Sequence, residues 1–199
     1  MKWFDAIACD NTVANPYVAD DGDLGMEDWL LRRGERVENW PANAWIKAAK
    51  PADDGDPDDV LQSYLGVPIY SARLRAALEE GGVGCDIQYL PLRVLRPNDE
   101  EIEGFAVANI TTVRDALDRK RSDISLFADN FTAPSKRGQI SAVRKAVLLG
   151  NRLAGCDIFR PEGYRVACYV SERFKTVFEK GGFTGYSFRE VLAPPLAVA

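Results

Sequence analysis

The strongest constraint on the fold is a pattern that occurs twice in the sequence, 100 residues apart. The first copy covers residues 71–83 and the second covers 171–183. Each copy begins with a serine, continues with apolar residues at helical spacing and ends in a pair of glycines. A strand-like run lies before each copy and another follows it. The sequence therefore predicts two similar units of strand, helix, turn and strand, at 67–94 and 166–191.

The residues at the two ends of each helix have defined conformational roles. Ser71 and Ser171 are predicted N-caps, because a serine hydroxyl can accept a hydrogen bond from a free N–H of the first turn. One glycine in each pair, Gly81–Gly82 and Gly181–Gly182, is expected to have a positive φ and to end its helix. Two copies leave two origins open, a duplication or a recurrent local solution, since repeat architectures usually show three or more copies.

The rest of the chain alternates between strand-like and helix-like segments. We expect strands at 44–48, 105–110 and 125–131, a hairpin at 156–170, short helices at 29–33 and 113–121, and a strand or a helix at 139–149. The apolar run 105–110 is typical of a central strand. Because no regular strand–helix period appears, the predicted fold class is α+β, with a mixed or antiparallel sheet and short packed helices.

The chain contains no histidine. This excludes the Ser-His-Asp and Cys-His catalytic arrangements and the usual ligand sets of catalytic zinc. Carboxylates can still perform acid–base chemistry, and Asp115, Asp118, Asp157 and Glu172 are the candidates. Nothing in their spacing requires that role. The alternative is that they form structural ion pairs, such as one between Asp157 and Arg160.

Negative charge is concentrated at the start of the sequence. Residues 1–60 contain 6 Lys and Arg against 14 Asp and Glu, a charge of −8, whereas residues 61–199 carry +3. Most of the acidity lies in two blocks rich in Gly, Pro or Asp, at 20–23 and 53–59, which predict exposed loops. These loops are either simply solvated or form an acidic surface that docks a basic protein partner. The candidate partner-binding residues are Asp20, Asp21, Asp23, Asp53, Asp54, Asp56, Asp58 and Asp59.

One of these blocks partly matches a calcium-binding loop. Asp54, Asp56 and Asp58 have the spacing of the first ligands of an EF-hand. The sixth position requires glycine and the twelfth a bidentate glutamate, but the chain has Asp59 and Leu65 there. No phosphate-binding or dinucleotide-binding motif occurs in the sequence. We therefore expect no metal and no cofactor.

The four cysteines are Cys9, Cys85, Cys156 and Cys168, and no two of them form a C-x-x-C pair. We expect them to be reduced, buried core residues of a cytoplasmic protein. The N-terminal residues lack the features of a signal peptide, and no run approaches the length of a membrane span. The basic stretches 119–121 and 136–137 are short, and the chain is acidic overall, with a net charge of −5. No membrane or nucleic-acid partner is expected.

Several motifs, taken in order, resemble one known family. They are Ser71-x-Arg-Leu, Asn109-Ile-Thr-Thr-Val-x-Asp115-Ala-Leu-Asp118 followed by Ser122, Asp157-Ile-Phe-Arg160, Tyr169-Val-Ser171-Glu-Arg-Phe-Lys175 and Gly182-Phe-Thr-Gly185-Tyr-Ser-Phe. Their order and spacing are similar to the eleventh immunity-protein family of bacterial polymorphic toxin systems. The resemblance covers about residues 60–192, and Gly34-x-x-Val-x-x-Trp40-Pro41 is similar to the family's variable N-terminal part.

The resemblance implies a cytoplasmic protein that is encoded beside a toxin, binds that toxin and blocks it. It implies no catalytic residues, so the motif residues are expected to be turn, cap and core positions. We expect an acidic N-terminal lobe at 1–60 and an immunity-type α+β domain at 61–199, with a single compact unit as the alternative. The competing hypothesis is a carboxylate- or calcium-dependent enzyme or ligand-binding domain. The sequence assigns no oligomeric state.

Overall fold

The computed structural model describes residues 1–8, 18–48, 57–61, 63 and 65–194, and in these residues strands outnumber helices. The strands are β1 (Trp3–Ala8), β2 (Val18–Asp23), β3 (Trp45–Ala48), β4 (Val60–Leu61), β5 (Ile69–Ser71), β6 (Ile87–Pro91), β7 (Arg93–Leu95), β8 (Glu101–Ile102), β9 (Phe105–Ile110), β10 (Val113–Arg114), β11 (Asp123–Leu126), β12 (Ile140–Lys145), β13 (Ile158–Pro161), β14 (Tyr169–Ser171) and β15 (Tyr186–Val191). The α-helices are α1 (Ala72–Glu80) and α2 (Glu172–Lys180). Short 3₁₀ helices lie at Asp28–Arg32, Pro134–Lys136 and Gly150–Arg152.

The strands form mixed and antiparallel sheets, so the fold is α+β. A five-stranded sheet has the order β10-β13-β14-β1-β15, and only its β10–β13 pair is parallel. The N-terminal strand β1 lies between β14 and β15, with Trp3 opposite both Ser171 and Val191. The first residues of the chain therefore pair with its last strands.

A four-stranded antiparallel sheet has the order β4-β5-β9-β6. Every residue of β9 is buried, and β9 lies between β5 and β6. The prediction of a central strand at 105–110 is thus confirmed. A second four-stranded sheet has the order β2-β3-β7-β8, and β11 pairs with β12 as a separate hairpin. The predicted strand at 44–48 is present as β3.

Both α-helices have the caps that the sequence predicts. The Ser71 hydroxyl accepts from the backbone N–H of Leu74 at 3.2 Å, and the Ser171 hydroxyl accepts from that of Phe174 at 3.2 Å. After the helices, Gly82 has φ +64° and Gly182 has φ +61°. A residue with a Cβ is strained at such a backbone angle, so glycine ends each helix with little conformational strain.

The apolar faces of the helices share one core. Leu74 and Leu78 of α1 and Phe174 and Phe178 of α2 belong to the same buried cluster, and the two helices pack against each other. Burial of one such side chain contributes about 1.5–3 kcal/mol to folding. A second cluster lies between the two four-stranded sheets, and a third surrounds Trp3 near the β11–β12 hairpin. In the described part of the chain, no helix is both long and apolar enough to cross a membrane.

The structure differs from one predicted helix and shows which of two predicted structures one segment adopts. The helix predicted at 113–121 is wrong, because Val113–Arg114 forms β10, which pairs with β13. Asp118 then forms a turn, in which its carboxylate accepts from the backbone N–H groups of residues 120 and 121 at 3.1 and 3.2 Å. Tertiary pairing therefore overrides the local helical pattern. The segment 139–149 contains a strand, β12, rather than a helix.

Candidate functional site

The eight candidate partner-binding aspartates divide into three groups in the structure. Asp21 and Asp23 are exposed at the end of β2, and the Asp23 carboxylate accepts from the backbone N–H of Gly25 at 2.6 Å. Asp53, Asp54 and Asp56 lie outside the described residues, as does the side chain of Asp20. Asp21 and Asp23 are therefore the members of the set whose carboxylates are seen to face solvent.

The last two aspartates of the second acidic block are buried. Asp58 and Asp59 are each only 3% exposed, so the expectation of an exposed loop is wrong for both. The Asp59 carboxylate accepts from the Ser71 hydroxyl at 2.7 Å and from Nε and Nη2 of Arg73 at 2.7 and 2.5 Å. It also accepts from the backbone N–H of Thr184 at 3.0 Å. Asp59 thus ties β4 to the start of α1 and to the turn after α2.

Asp157 has a similar arrangement at the start of the second helix. Its carboxylate accepts from the Ser171 hydroxyl and from Nη1 of Arg173, the latter at 2.9 Å. The predicted pair between Asp157 and Arg160 is wrong. Arg173 stands two positions into α2, beside the capping serine, and this places its guanidinium on the carboxylate. Asp157 is therefore a structural anchor.

The remaining candidate acid–base carboxylates also have structural contacts. Asp115 pairs with Arg152, and Asp118 holds its turn. Glu172 accepts from the backbone N–H of Lys2 at 3.5 Å. Among the described residues, no three His, Cys, Asp or Glu side chains are grouped so that they could hold a metal ion. Two residues of the calcium-like pattern, Asp54 and Asp56, lie outside the described part.

None of the three described cysteines has the lowered pKa of an activated thiol. Cys85, Cys156 and Cys168 are free thiols. Cys156 and Cys168 are buried as expected, but Cys85 is exposed in the turn between α1 and β6, which corrects the expectation for that residue. Burial raises the pKa of Cys168 to about 12, and desolvation followed by the Asp86 carboxylate raises the pKa of Cys85. These thiols are therefore protonated near neutral pH. Cys9 lies outside the described residues.

A wide surface cleft brings together residues that the sequence did not single out as a site. It has a volume of about 900 Å³. Its charged lining consists of Arg32, Arg33, Arg119 and Arg165 together with Asp115 and Glu162, which we call the arginine cleft. The four arginines come from three separate segments, so no local motif announces them. The cleft carries a charge of +2 in a chain whose net charge is −5.

Apolar side chains complete the wall of the arginine cleft. Trp29 is 49% exposed and Val166 is 56% exposed, and both belong to the lining. The guanidinium of Arg33 lies 5.8 Å from the centroid of the Trp29 ring. Exposed tryptophan and arginine side chains are enriched at the centres of protein–protein interfaces. The arrangement is thus suited to binding another molecule.

A comparison with family models identifies the relationship that the motifs indicate. The model of the immunity protein family Imm11 matches residues 8–193. This range includes the motifs at 60–192 and extends through most of the N-terminal part. A comparison with curated proteins finds no match. Because the family model covers nearly the whole sequence, the chain belongs to the Imm11 immunity protein family.

Proposed function

We propose that this protein neutralises a cognate toxin, encoded nearby in a polymorphic toxin system, by binding to it. The observation that carries the proposal is the family match over residues 8–193, since an immunity family suggests a role in toxin immunity. The arginine cleft supports it independently, because it offers charge and exposed aromatic surface to a partner. The inhibition is stoichiometric and requires no catalysis, and the protein acts in the cytoplasm, where it meets the toxin.

The proposal includes a docking role for the acidic N-terminal part. Asp20, Asp21, Asp23, Asp53, Asp54 and Asp56 would steer a basic face of the toxin, mainly by raising the association rate. Exposure of Asp21 and Asp23 supports this role. Asp58 and Asp59 are left out of the docking set because their carboxylates are buried. Salt would weaken the effect, since screening acts over about 8–10 Å at physiological ionic strength.

We also propose that the two helix-containing units act as a paired scaffold. Two similar carboxylate–serine–arginine clusters support this, Asp59–Ser71–Arg73 and Asp157–Ser171–Arg173. The arginine of each cluster also donates a hydrogen bond to the other unit. Arg73 donates to the carbonyl of Gly182 at 3.4 Å, and Arg173 donates to that of Gly82 at 3.5 Å.

The boundary between a lobe at 1–60 and a domain at 61–199 is part of the same proposal. Pairing of β1 with β14 and β15 supports the alternative of a single compact unit. Limited proteolysis tests the boundary. A stable fragment that begins near residue 61 would favour two parts, and its absence would favour one.

The experiment that tests the function is co-expression with the toxic domain encoded by the neighbouring gene. We expect the full chain to restore growth and to purify together with the toxic domain. For the docking role, the double variant Asp21→Asn with Asp23→Asn is compared with Glu103→Gln with Asp129→Asn. The control removes the same charge from two other exposed carboxylates. We expect slower association at low salt for the first variant only. Equal rates for both variants would exclude a specific docking role for β2.

A further inference from the structure

Three guanidinium groups, two in the arginine cleft and one in a cavity that shares a lining residue with it, have no carboxylate partner among the described residues. Arg119 makes no side-chain hydrogen bond or ion pair there, although its Nη2 lies close to Gly163, where an added Cβ would be 2.6 Å away. Arg165 donates only to a carbonyl, that of Arg33, at 2.6 Å. In contrast, Arg33 pairs with Glu35 at 2.9 Å, and Arg32 lies 3.7 Å from Asp28.

The third guanidinium, that of Arg160, is buried. Arg160 is 1% exposed and lines a smaller cavity of about 200 Å³ that shares Val166 with the arginine cleft. It donates to the carbonyls of Arg165 and Gly66, and its Nε has no partner. A buried guanidinium that donates only to neutral carbonyls, with no carboxylate beside it, carries an uncompensated desolvation cost. Arg160 therefore adds a positive charge in the adjoining cavity to the unpaired charges of Arg119 and Arg165 in the cleft.

The chemistry of the cleft favours a protein segment over a nucleic acid. Arginine forks bind carboxylates in bidentate geometry, and phosphates in a similar way. The cleft also contains Asp115 and Glu162, which would repel a continuous phosphate backbone, and the chain as a whole is acidic. Exposed Trp29 and Val166 match apolar side chains of a peptide segment.

From these observations we infer that the arginine cleft binds an acidic segment of the toxin, whose carboxylates pair with Arg119 and Arg165. The apolar side chains of that segment contact Trp29 and Val166. The inference rests on the proposed function and adds to it the chemistry of the partner. The toxin would then have two contact surfaces: an acidic segment for the arginine cleft and a basic face for the N-terminal aspartates.

The test measures binding of the purified full chain to the toxic domain encoded by the neighbouring gene. The test variant is Arg119→Glu, and the matched control is Arg121→Glu. Arg121 is an exposed arginine on the same segment, and it lines a different cavity. We expect Arg119→Glu to weaken binding about tenfold or more at low ionic strength, with little effect of Arg121→Glu. Unchanged melting temperatures would show that both variants fold.

A second variant identifies the partner group. In Arg119→Lys, a carbodiimide can join the new amine to a carboxylate in contact with it. We expect cross-links from residue 119 to Asp or Glu of the toxic domain. Links only to this chain's own carboxylates, such as Glu162, would overturn the inference. So would equal losses for Arg119→Glu and Arg121→Glu, or competition by a short oligonucleotide that displaces the toxic domain.

The two proposals fail in different ways. If the wild-type chain neither binds the toxic domain nor protects against it, the proposed function fails, and the inference fails with it. If the wild-type chain binds and Arg119→Glu binds equally well, the inference alone fails and the immunity role stands.

Discussion

Removal of the Asp59 charge is expected to destabilise the fold, even though Asp59 belongs to an acidic block. Its carboxylate accepts four hydrogen bonds, from the Ser71 hydroxyl, two nitrogens of Arg73 and the backbone N–H of Thr184. The substitution Asp59→Asn retains one acceptor oxygen and places an amide N–H₂ where the other oxygen was. Hydrogen bonds to charged groups contribute about 1.5–3 kcal/mol each, and they are not additive.

The magnitude depends on how far solvent screens the ion pair. The Arg73 side chain is 59% exposed and that of Asp59 is 4% exposed. The Coulombic part is therefore close to that of a surface pair, at most about 1 kcal/mol. With the loss of the other contacts, we expect Asp59→Asn to lower the free energy of unfolding by about 2–3 kcal/mol.

Urea denaturation followed by circular dichroism measures this change. The control is Asp21→Asn, an exposed aspartate of the first acidic block, with an expected change within about 0.5 kcal/mol. A double-mutant cycle with Arg73→Gln should give a coupling energy of about 1 kcal/mol. If Asp59→Asn unfolds like Asp21→Asn, or if the cycle shows no coupling, Asp59 does not stabilise the fold through these contacts.

The remaining predictions concern the glycine turn, the thiols and calcium. Gly182 has φ +61° and open space where a Cβ would lie, so Gly182→Ala should lower the free energy of unfolding by about 1 kcal/mol through backbone strain alone. Gly84 has no positive φ, so Gly84→Ala should lower it by less. Urea denaturation compares the two variants, and equal losses would contradict the role of the positive φ at Gly182. Iodoacetamide with peptide mapping should label Cys85 in the native protein and Cys168 only after unfolding. The pKa of Cys168 in the folded protein, about 12, lies above that of an unfolded thiol. The contribution of this thiol to stability is therefore complete below about pH 8.5 and falls as the pH rises toward 12. Denaturation at several alkaline pH values measures this fall, and its absence would refute the burial of Cys168. Calcium is expected not to raise the melting temperature, and a clear rise would reveal a native-state calcium site.

Local signals in the sequence were sufficient for α1, α2 and the central strand. Ser71, Ser171 and the glycine pairs define where α1 and α2 begin and end, and these contacts lie within one helical turn. The apolar run of β9 required no knowledge of its neighbours. The motif residues Phe159 and Ser171 are buried, in keeping with the expectation of core and cap roles.

Features that depend on distant contacts were beyond sequence reasoning. The buried carboxylate of Asp59 is bound by Thr184, which is 125 residues away in the sequence, so the local sequence around Asp59 does not predict its burial. Val113–Arg114, at the start of the predicted helix 113–121, forms β10 because β13 lies beside it. The arginine cleft combines residues near positions 32, 119 and 165, and only the folded chain brings them together. Charge counting located an acidic N-terminal part, but it could not distinguish exposed Asp21 from buried Asp59.

The most direct test of the central claim is a titration of the purified full chain into the toxic domain encoded by the neighbouring gene, by isothermal calorimetry, together with a growth assay. We predict saturable, stoichiometric binding and restored growth at matching expression levels. A full chain that neither binds the toxic domain nor protects cells from it would contradict the immunity role.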